Sequence, residues 1–317
     1  MITTKTKKRS VGMQQLQGRE YNVFDDILQK AKAKGAIKVS VAQPTDETSL
    51  SGVVDSYKAG LIDPILVGDE SKIIATAKEF GLDISPFEIV NVLEDKDAAT
   101  KAAEFATKGE VKAIMKGNLH TNDIMSAVVK RDANLRTDRS ITHAFVMDIP
   151  AYHKALFIAD AAINIAPDIN AKMSIIKNTV DLAHKLGIKT PKVGLLSAVE
   201  MPYEKIPSSM EAHELTQRAK SEVANALVYG PLAMDNAISA LSAKIKKIDS
   251  EVCGDPDILV APQIEAGNIL FKALVYLAYA KVAGVVLGAK VPVILTSRAD
   301  NAEARVASSA LAVLASE

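Results

Sequence analysis

Short apolar runs alternate with amphipathic helical segments through the first 115 residues, and this alternation restricts the fold more than any other feature. In segment 22–34, for example, Val23, Ile27 and Ala31 fall on one helical face. The runs between the helical segments are rich in aliphatic residues and lie at 37–42, 64–67, 89–92 and 111–115. Repeated strand–helix units predict right-handed βαβ crossovers and a largely parallel sheet, which is an α/β fold.

The alternation changes near Asp138. Two apolar runs, 141–148 and 155–160, are separated only by the short segment 149–154, which predicts an antiparallel hairpin. We interpret this hairpin as the start of an inserted domain. The chain then divides into a discontinuous first α/β domain, 1–139 plus 284–317, and an inserted second α/β domain, 140–283, with a cleft between them as the expected ligand site.

Composition excludes several classes of protein. Lys plus Arg and Asp plus Glu number 38 each, so no global charge favours nucleic acid or an anionic membrane. No run of about 18 apolar residues predicts a membrane span, and the N-terminus lacks the apolar core of a secretory signal. The single cysteine excludes an intramolecular disulfide framework and indicates a reducing, cytoplasmic compartment.

Four polar segments follow or flank predicted strands, where α/β proteins bind phosphate-bearing ligands. They are 116–121, 136–140, 262–268 and 296–298. The last contains Ser297 and Arg298, between a short apolar run and a helical segment. Each also has a purely structural interpretation: Gly117 and Gly267 can supply φ > 0 in a turn, Asn268 can cap a helix, and Asp300 with Glu303 has the spacing of a capping box.

Most sequence motifs of known metal, nucleotide and catalytic sites are absent from this chain. The five histidines form no His-x-x-x-His pair, and no carboxylate–histidine cluster predicts a metal site. His120 lies at a predicted strand-to-helix junction, whereas His143 and His153 flank the hairpin and are expected to be satisfied structural residues. Glycine-rich dinucleotide and P-loop motifs are absent, as is a Gly-x-Ser-x-Gly elbow around Ser297.

Seven segments together resemble the phosphate acetyl/butyryl transferase family. They are Lys116-Gly117-Asn118-Leu119-His120-Thr121, Leu135-Arg136-Thr137, Val193-Gly194-Leu195-Leu196-Ser197, Val228-Tyr229-Gly230-Pro231-Leu232, Asp255-Pro256-Asp257, Glu265-Ala266-Gly267-Asn268 and Leu295-Thr296-Ser297-Arg298-Ala299-Asp300. The short chain, the first segment and the Leu-Arg-Thr segment are more similar to the butyryl branch than to the acetyl branch.

The resemblance implies a two-domain fold like that of isocitrate and isopropylmalate dehydrogenases, with mostly parallel sheets, an inter-domain cleft and a homodimer or larger homo-oligomer. It implies the reversible conversion of a short-chain acyl-CoA, butyryl-CoA favoured and acetyl-CoA possible, and inorganic phosphate into acyl phosphate and CoA. The CoA thiol attacks the acyl phosphate directly in a ternary complex, so CoA is a substrate and no cofactor is expected.

The resemblance also implies residue roles. Ser297 orients the thiol or contacts the tetrahedral centre, and Arg298 is the charged donor to the carbonyl or phosphate oxygen. The family's aspartate base lies seven residues after the serine, where this chain has Ala304. Glu303 and Asp300 are the nearest carboxylates, and Glu303 is slightly favoured. Substrate binding is assigned to Lys116, Asn118, His120, Thr121, Arg136, Arg139, Glu265, Gly267 and Asn268.

Two alternatives accompany this interpretation. An NAD-dependent β-decarboxylating dehydrogenase on the same fold would need several aspartates around a divalent metal, and the sequence shows no convincing cluster of them. A non-catalytic CoA-binding homologue is compatible with Ala304 in place of the aspartate.

Overall fold

The computed structural model describes residues 22–295 and 302–316. The helices of this part of the chain are α1 Val23–Lys34, α2 Glu47–Lys58, α3 Glu70–Glu79, α4 Asp95–Thr107, α5 Thr121–Val129, α6 Ile169–Lys185, α7 Pro207–Glu222, α8 Met234–Ile238, α9 Ala240–Ile245, α10 Ile264–Leu277 and α11 Ala302–Ala315. The strands are β1 Ile37–Ala42, β2 Ile62–Gly68, β3 Glu88–Asn91, β4 Ala113–Lys116, β5 Thr142–Asp148, β6 Leu156–Ala159, β7 Lys192–Leu196, β8 Leu227–Leu232, β9 Ile258–Val260, β10 Lys281–Leu287 and β11 Val293–Ile294.

All the described strands form one 11-stranded sheet in the order β3-β2-β1-β4-β11-β10-β5-β6-β9-β7-β8. The first five strands of this order are mutually parallel, and so are the last four. β10 and β5 join the two halves through antiparallel pairing. The structure therefore confirms the predicted α/β class with a mostly parallel sheet.

The predicted hairpin is also confirmed, since β5 and β6 pair antiparallel with Val146 opposite Phe157. The sheet runs without a break from one half to the other, and the predicted boundary between residues 283 and 284 falls inside β10. The division of the chain into two domains stays a prediction.

The spacing of apolar residues does not predict β8 or β10. β8 contains Gly230 and Pro231, which normally interrupt strands, but β8 lies at the edge of the sheet, where a missing N–H is tolerated. β10 contains Gly284 because a Cβ there would lie 2.8 Å from Nε2 of His143 on β5. Residues 234–245 form two short helices, α8 and α9.

Alternating side chains of the sheet divide the core between two faces. The largest apolar cluster packs one face of both halves against α1, α2, α6, α7 and α11. On the other face, one cluster lies under α4 and α5 and another under α8 and α10, in different halves of the sheet. None of the helices that the structure describes combines the length and apolarity needed to cross a membrane.

Candidate active site

The carboxyl ends of β1, β2, β4 and β11 meet at one edge of the sheet because these strands are parallel. The register sets Val293 beside Ile114 and Ile294 beside Met115, so the chain leaves β11 next to Lys116. Ser297, Arg298 and Asp300 themselves lie outside the described residues.

The turn after β4 depends on a close backbone approach at Gly117. A Cβ at this position would lie 2.4 Å from the carbonyl oxygen of Gln43 and 2.5 Å from that of Ala42. The Gly117 N–H donates to Ala42 O at 2.8 Å, and the Asn118 N–H donates to Gln43 O at 2.6 Å. The structural interpretation of Gly117 as a φ > 0 residue is wrong, because it is not among the described glycines with positive φ.

Gln43 organises this edge, and sequence reasoning missed it. It is 2% exposed and has a left-handed φ of 51°. Its Oε1 accepts from the Asp69 N–H at 3.2 Å, and its Nε2 donates to Leu93 O at 3.1 Å. Through these contacts and the Asn118 bond, one side chain and its backbone tie the ends of β1, β2, β3 and β4 together. No sequence pattern predicts that a glutamine will be buried in a left-handed conformation.

The candidate residues after β4 surround the N-terminus of α5. The Lys116 Nζ donates to Gly117 O at 3.0 Å, and Asn118 is half-buried. His120 is the exposed N-cap residue of α5 and makes no side-chain capping bond, and Thr121 is the first helical residue. A lysine, an amide side chain and the N-terminus of a helix form an arrangement that suits an anion.

Glu303 lies in the first turn of α11. Its carboxylate is 2.7 Å from the Lys281 Nζ at the start of β10, and both side chains are about half exposed. The hydrogen bond to Glu303 raises the pKa of Lys281. The ion pair holds the Glu303 carboxylate beside the start of β10.

Gly267 and Asn268 belong to a second group, around Asp160. A Cβ at Gly267 would lie 2.5 Å from Asp160 O, and the Asn268 Nδ2 donates to Ala161 O at 3.1 Å. Asn268 does not cap α10, whose N-cap is Gln263, and Gly267 is not among the described positive-φ glycines. The capping interpretation of Asn268 and the positive-φ interpretation of Gly267 are therefore wrong. Glu265 is exposed in the first turn of α10.

Asp160 and Asn164 are further site residues that the sequence analysis did not select. The buried Asp160 carboxylate accepts from the N–H groups of Ala162 at 2.8 Å and Ile163 at 3.0 Å, and from Asn164 Nδ2 at 2.6 Å. The same Nδ2 donates to Ile141 O at 2.8 Å. The loop 160–164 is thus fixed where the two halves of the sheet meet. A polar Asp-x-x-x-Asn directly after an apolar run was the available signal.

Arg136 and Arg139 lie at the other end of β11. Arg136 forms a bridge with Ala289 in the turn that precedes β11, whereas Ser297 follows this strand. Arg139 is paired with Asp181 of α6 and donates to Asn178 Oδ1 at 3.4 Å. A cavity of about 300 Å³ at this end is lined by Arg139, Lys185 and Lys290, among others. The structure does not bring these two arginines together with Lys116.

The two hairpin histidines differ. His153 Nε2 lies 2.9 Å from Asp255 Oδ1, as expected for a satisfied structural residue. Both ring nitrogens of His143 are buried and have no hydrogen-bond partner among the described residues, so the expectation of a satisfied residue is wrong there. Its ring instead contacts Phe145, with centroids 4.2 Å apart. Burial lowers the pKa of His143 to about 4, although the nearby Asp160 acts in the opposite direction.

His143 should make the protein sensitive to mild acid. Its pKa falls from 6.5 to about 4 on folding, so between these values the unfolded chain binds the extra proton and stability falls as pH falls. The loss across this window is roughly 3 kcal/mol at 1.36 kcal/mol per pH unit. Thermal midpoints from pH 7.5 to 4.5 should therefore fall less in His143→Gln than in wild type. His213→Gln, an exposed control on α7, should keep the wild-type slope; equal slopes in all three proteins would contradict the prediction.

A polar turn at the carboxyl end of parallel strands, with a helix N-terminus beside it, is the arrangement of α/β proteins that bind anionic small molecules. Within residues 22–295 and 302–316, no group of three or more His, Cys, Asp or Glu side chains is arranged to hold a metal ion. Comparison with known proteins identifies the class more closely.

A family model described as phosphate acetyl/butaryl transferase matches residues 22–108 and 93–313. A phosphate acetyltransferase from Rhizobium meliloti is 46% identical over 292 residues, 92% of this chain and 92% of that protein. A phosphate butyryltransferase from Clostridium acetobutylicum is 39% identical, covering 92% of this chain and 97% of that protein. The crystal structure of a branched-chain phosphotransacylase from Enterococcus faecalis V583 matches with a TM-score of 0.77 and 31% identity, over 88% of this chain and 98% of that one. The chain belongs to the phosphate acetyl/butyryl transferase family.

Proposed function

We propose that this protein is an acyl-CoA:phosphate acyltransferase that reversibly converts a short-chain acyl-CoA and inorganic phosphate into acyl phosphate and CoA. The observation that carries this proposal is the family match across residues 22–313. The anion-suited turn 116–121, which lies beside the exit of β11, supports it from the physical side.

In the direction of acyl-CoA synthesis, the CoA sulfur attacks the carbonyl carbon of the acyl phosphate. The S–C bond forms, the thiol proton passes to a base, and the C–O bond to phosphate breaks, so that phosphate leaves with the bonding electron pair. Arg298 donates to the oxygen that gains charge, a role that suits its planar guanidinium. Ser297 orients the sulfur and is not itself acylated.

Glu303 is our proposed base for the thiol. The ion pair with Lys281 supports this role, because it holds the carboxylate in a defined position at the start of α11. Asp300, three residues earlier in the sequence, is the competing carboxylate. Deprotonation of the thiol through water is the remaining route.

Phosphate binding is assigned to Lys116 together with the N–H groups at the start of α5, which lie nearest the exit of β11. Asn118, His120 and Thr121 complete this anion site in our proposal. Arg136 and Arg139 are then assigned to a more distant phosphate of the CoA nucleotide, since they lie at the opposite end of β11. The Glu265, Gly267 and Asn268 group contacts CoA from the second half of the sheet.

Several finer features belong to the same proposal. The fold is of the isocitrate/isopropylmalate dehydrogenase type, and CoA binds in a cleft between its two halves. The protein is cytoplasmic and homo-oligomeric. Butyryl-CoA is the favoured substrate, with acetyl-CoA also turned over, because one methylene in an apolar pocket discriminates by only about 1–3 kcal/mol.

The decisive assay follows thiol release from straight-chain acyl-CoA substrates of two to six carbons, with and without inorganic phosphate. We expect phosphate-dependent release with the highest kcat/KM at four carbons. No phosphate-dependent release from any of them would refute the proposed function. Tight CoA binding without turnover would instead identify a non-catalytic homologue, and metal-dependent reduction of NAD by a 2-hydroxy acid would identify a dehydrogenase.

A further inference from the structure

Gln43 joins several strand ends through one buried side chain. The residue follows β1 directly and is 2% exposed. Its Oε1 accepts from the Asp69 N–H at 3.2 Å, just after β2, and its Nε2 donates to Leu93 O at 3.1 Å, just beyond β3. Its backbone N–H donates to Val67 O at 2.7 Å. Both ends of the amide group are thus bonded to the backbone of neighbouring strand ends.

The backbone carbonyl of Gln43 contacts the turn 116–121. Gln43 O accepts from the Asn118 N–H at 2.6 Å. A Cβ at Gly117 would lie 2.4 Å from the same oxygen, so the turn packs against this carbonyl as closely as a glycine allows. A displacement of the Gln43 carbonyl therefore displaces the turn, and with it the start of α5.

The conformation of Gln43 depends on the contacts around it. Its φ of 51° lies in the left-handed region, which residues other than glycine adopt rarely and at a cost in free energy. Gly68 packs against it, since a Cβ there would lie 2.6 Å from Gln43 Oε1 and 3.1 Å from Gln43 Cα. A costly backbone conformation that several contacts maintain is typical of ligand sites.

We propose that Gln43 is a positioning residue for inorganic phosphate: it holds the turn 116–121 in the geometry that binds the anion and touches no substrate itself. The bonds of its side chain to Asp69 and Leu93 fix the carbonyl against which the turn packs. The identity of the anion rests on the proposed function. Acyl-CoA affinity does not depend on Gln43, because the groups assigned to CoA lie at the other end of β11 and in the second half of the sheet.

The first test is Gln43→Gly, which removes the amide group and accepts a φ of 51° without strain. The KM for phosphate should rise by about 10- to 10²-fold, because a binding group misplaced by about 1 Å can cost this much. The KM for butyryl-CoA should stay near wild type. Gly68→Ala should also raise the KM for phosphate, because its new methyl group displaces the Gln43 side chain, although Gly68 belongs to β2 and the turn follows β4.

Gln43→Glu is the conservative variant, and its effect should depend on pH. A protonated carboxyl group matches the amide, because its O–H can donate to Leu93 O while its carbonyl oxygen accepts from the Asp69 N–H. An ionised carboxylate has no donor and would face the carbonyl oxygens of Val92 and Leu93, so these carbonyls and burial raise the pKa of the new group. The ratio of variant to wild-type KM for phosphate should therefore approach one at acid pH and increase as pH rises. Taking the ratio at each pH removes the ionisation of phosphate itself.

Ser40→Ala is the matched control for a loss of stability. Ser40 is fully buried three positions earlier on β1, and its Oγ donates to Ala102 O at 2.9 Å. The variant should lower the unfolding midpoint and keep the wild-type KM for phosphate. A KM for phosphate that rises as much in Ser40→Ala as in Gln43→Gly would reduce Gln43 to a stabilising residue and overturn the proposal. A wild-type KM for phosphate in Gln43→Gly, or an effect of Gln43→Glu that is independent of pH, would also overturn it.

A binding measurement separates this proposal from the proposed reaction. If wild type shows no phosphate-dependent thiol release, the proposed function fails, and titration calorimetry with inorganic phosphate then tests Gln43 without turnover. Wild type should bind phosphate more tightly than Gln43→Gly, and Ser40→Ala should match wild type. Equal affinities in wild type and Gln43→Gly, or no binding of phosphate by wild type, would overturn the positioning role.

Discussion

Replacing Arg298 by alanine should lower kcat by about 10²- to 10³-fold, because the variant loses a charged donor to the oxygen that gains charge in the transition state. Ser297→Ala should lower kcat by at least about tenfold, since it removes an orienting hydroxyl but no charge. Both effects are measured as phosphate-dependent thiol release from butyryl-CoA at saturating substrate. Thermal unfolding of each variant shows whether the fold survives.

Arg218→Ala is a suitable control for the arginine variant. Arg218 is on α7 and pairs with Glu222 at 2.8 Å on the protein surface. An exposed pair of this kind contributes about 0–1 kcal/mol, so its loss should leave both kcat and the unfolding midpoint near wild type. Wild-type kcat in both Ser297→Ala and Arg298→Ala would remove these two residues from the mechanism.

The overall class of the fold was predictable because it rests on periodicity. The spacing of apolar residues predicts the alternation from β1 to β4 and the hairpin of β5 and β6, and the structure confirms both. β10 was not predictable on this basis. Gly284 is required by the ring of His143, a residue 141 positions away in sequence that pairs across the sheet, and local patterns carry no information on such contacts.

The site residues stay predictions. Residue type and position near the end of a predicted strand were enough to select Lys116, His120 and Asn268 as candidates. The reasons for the glycines were not predictable, because Gly117 and Gly267 are fixed by carbonyl groups of Gln43 and Asp160, which approach from other strands. Gln43 was missed for the same reason, since its importance lies in its bonds to three other strand ends.

The placement of Arg136 and Arg139 changes how the anion sites are divided. Residue type alone groups these arginines with Lys116, as three cations in polar segments that follow or flank predicted strands. The antiparallel pairing of β10 and β11 separates them, because the turn that Arg136 contacts precedes β11. In the proposed reaction, inorganic phosphate reacts at the thioester end of acyl-CoA, whereas the phosphates of CoA lie at the far, nucleotide end. Two separated cationic groups suit this pair of substrates better than a single one.

Glu303→Gln should lower kcat by about 10²- to 10⁴-fold, the usual contribution of a general base, because glutamine cannot accept the thiol proton. The unfolding midpoint should change little, since the pair with Lys281 is about half exposed. Glu303 acts as a base in the direction in which CoA attacks the acyl phosphate. Free thiol is consumed in this direction, so the rate is measured as loss of CoA thiol at saturating acyl phosphate.

Three further variants separate the possible roles of Glu303. Glu104→Gln breaks a comparable exposed pair with Lys101 on α4 and should keep the wild-type kcat. Lys281→Met removes the partner and leaves the carboxylate, so its kcat should exceed that of Glu303→Gln; equal losses would mean that Glu303 serves only the ion pair. If Asp300→Asn loses activity while Glu303→Gln keeps it, then Asp300 is the base. If both Asp300→Asn and Glu303→Gln keep the wild-type activity, then neither carboxylate is the base and the thiol proton passes to water.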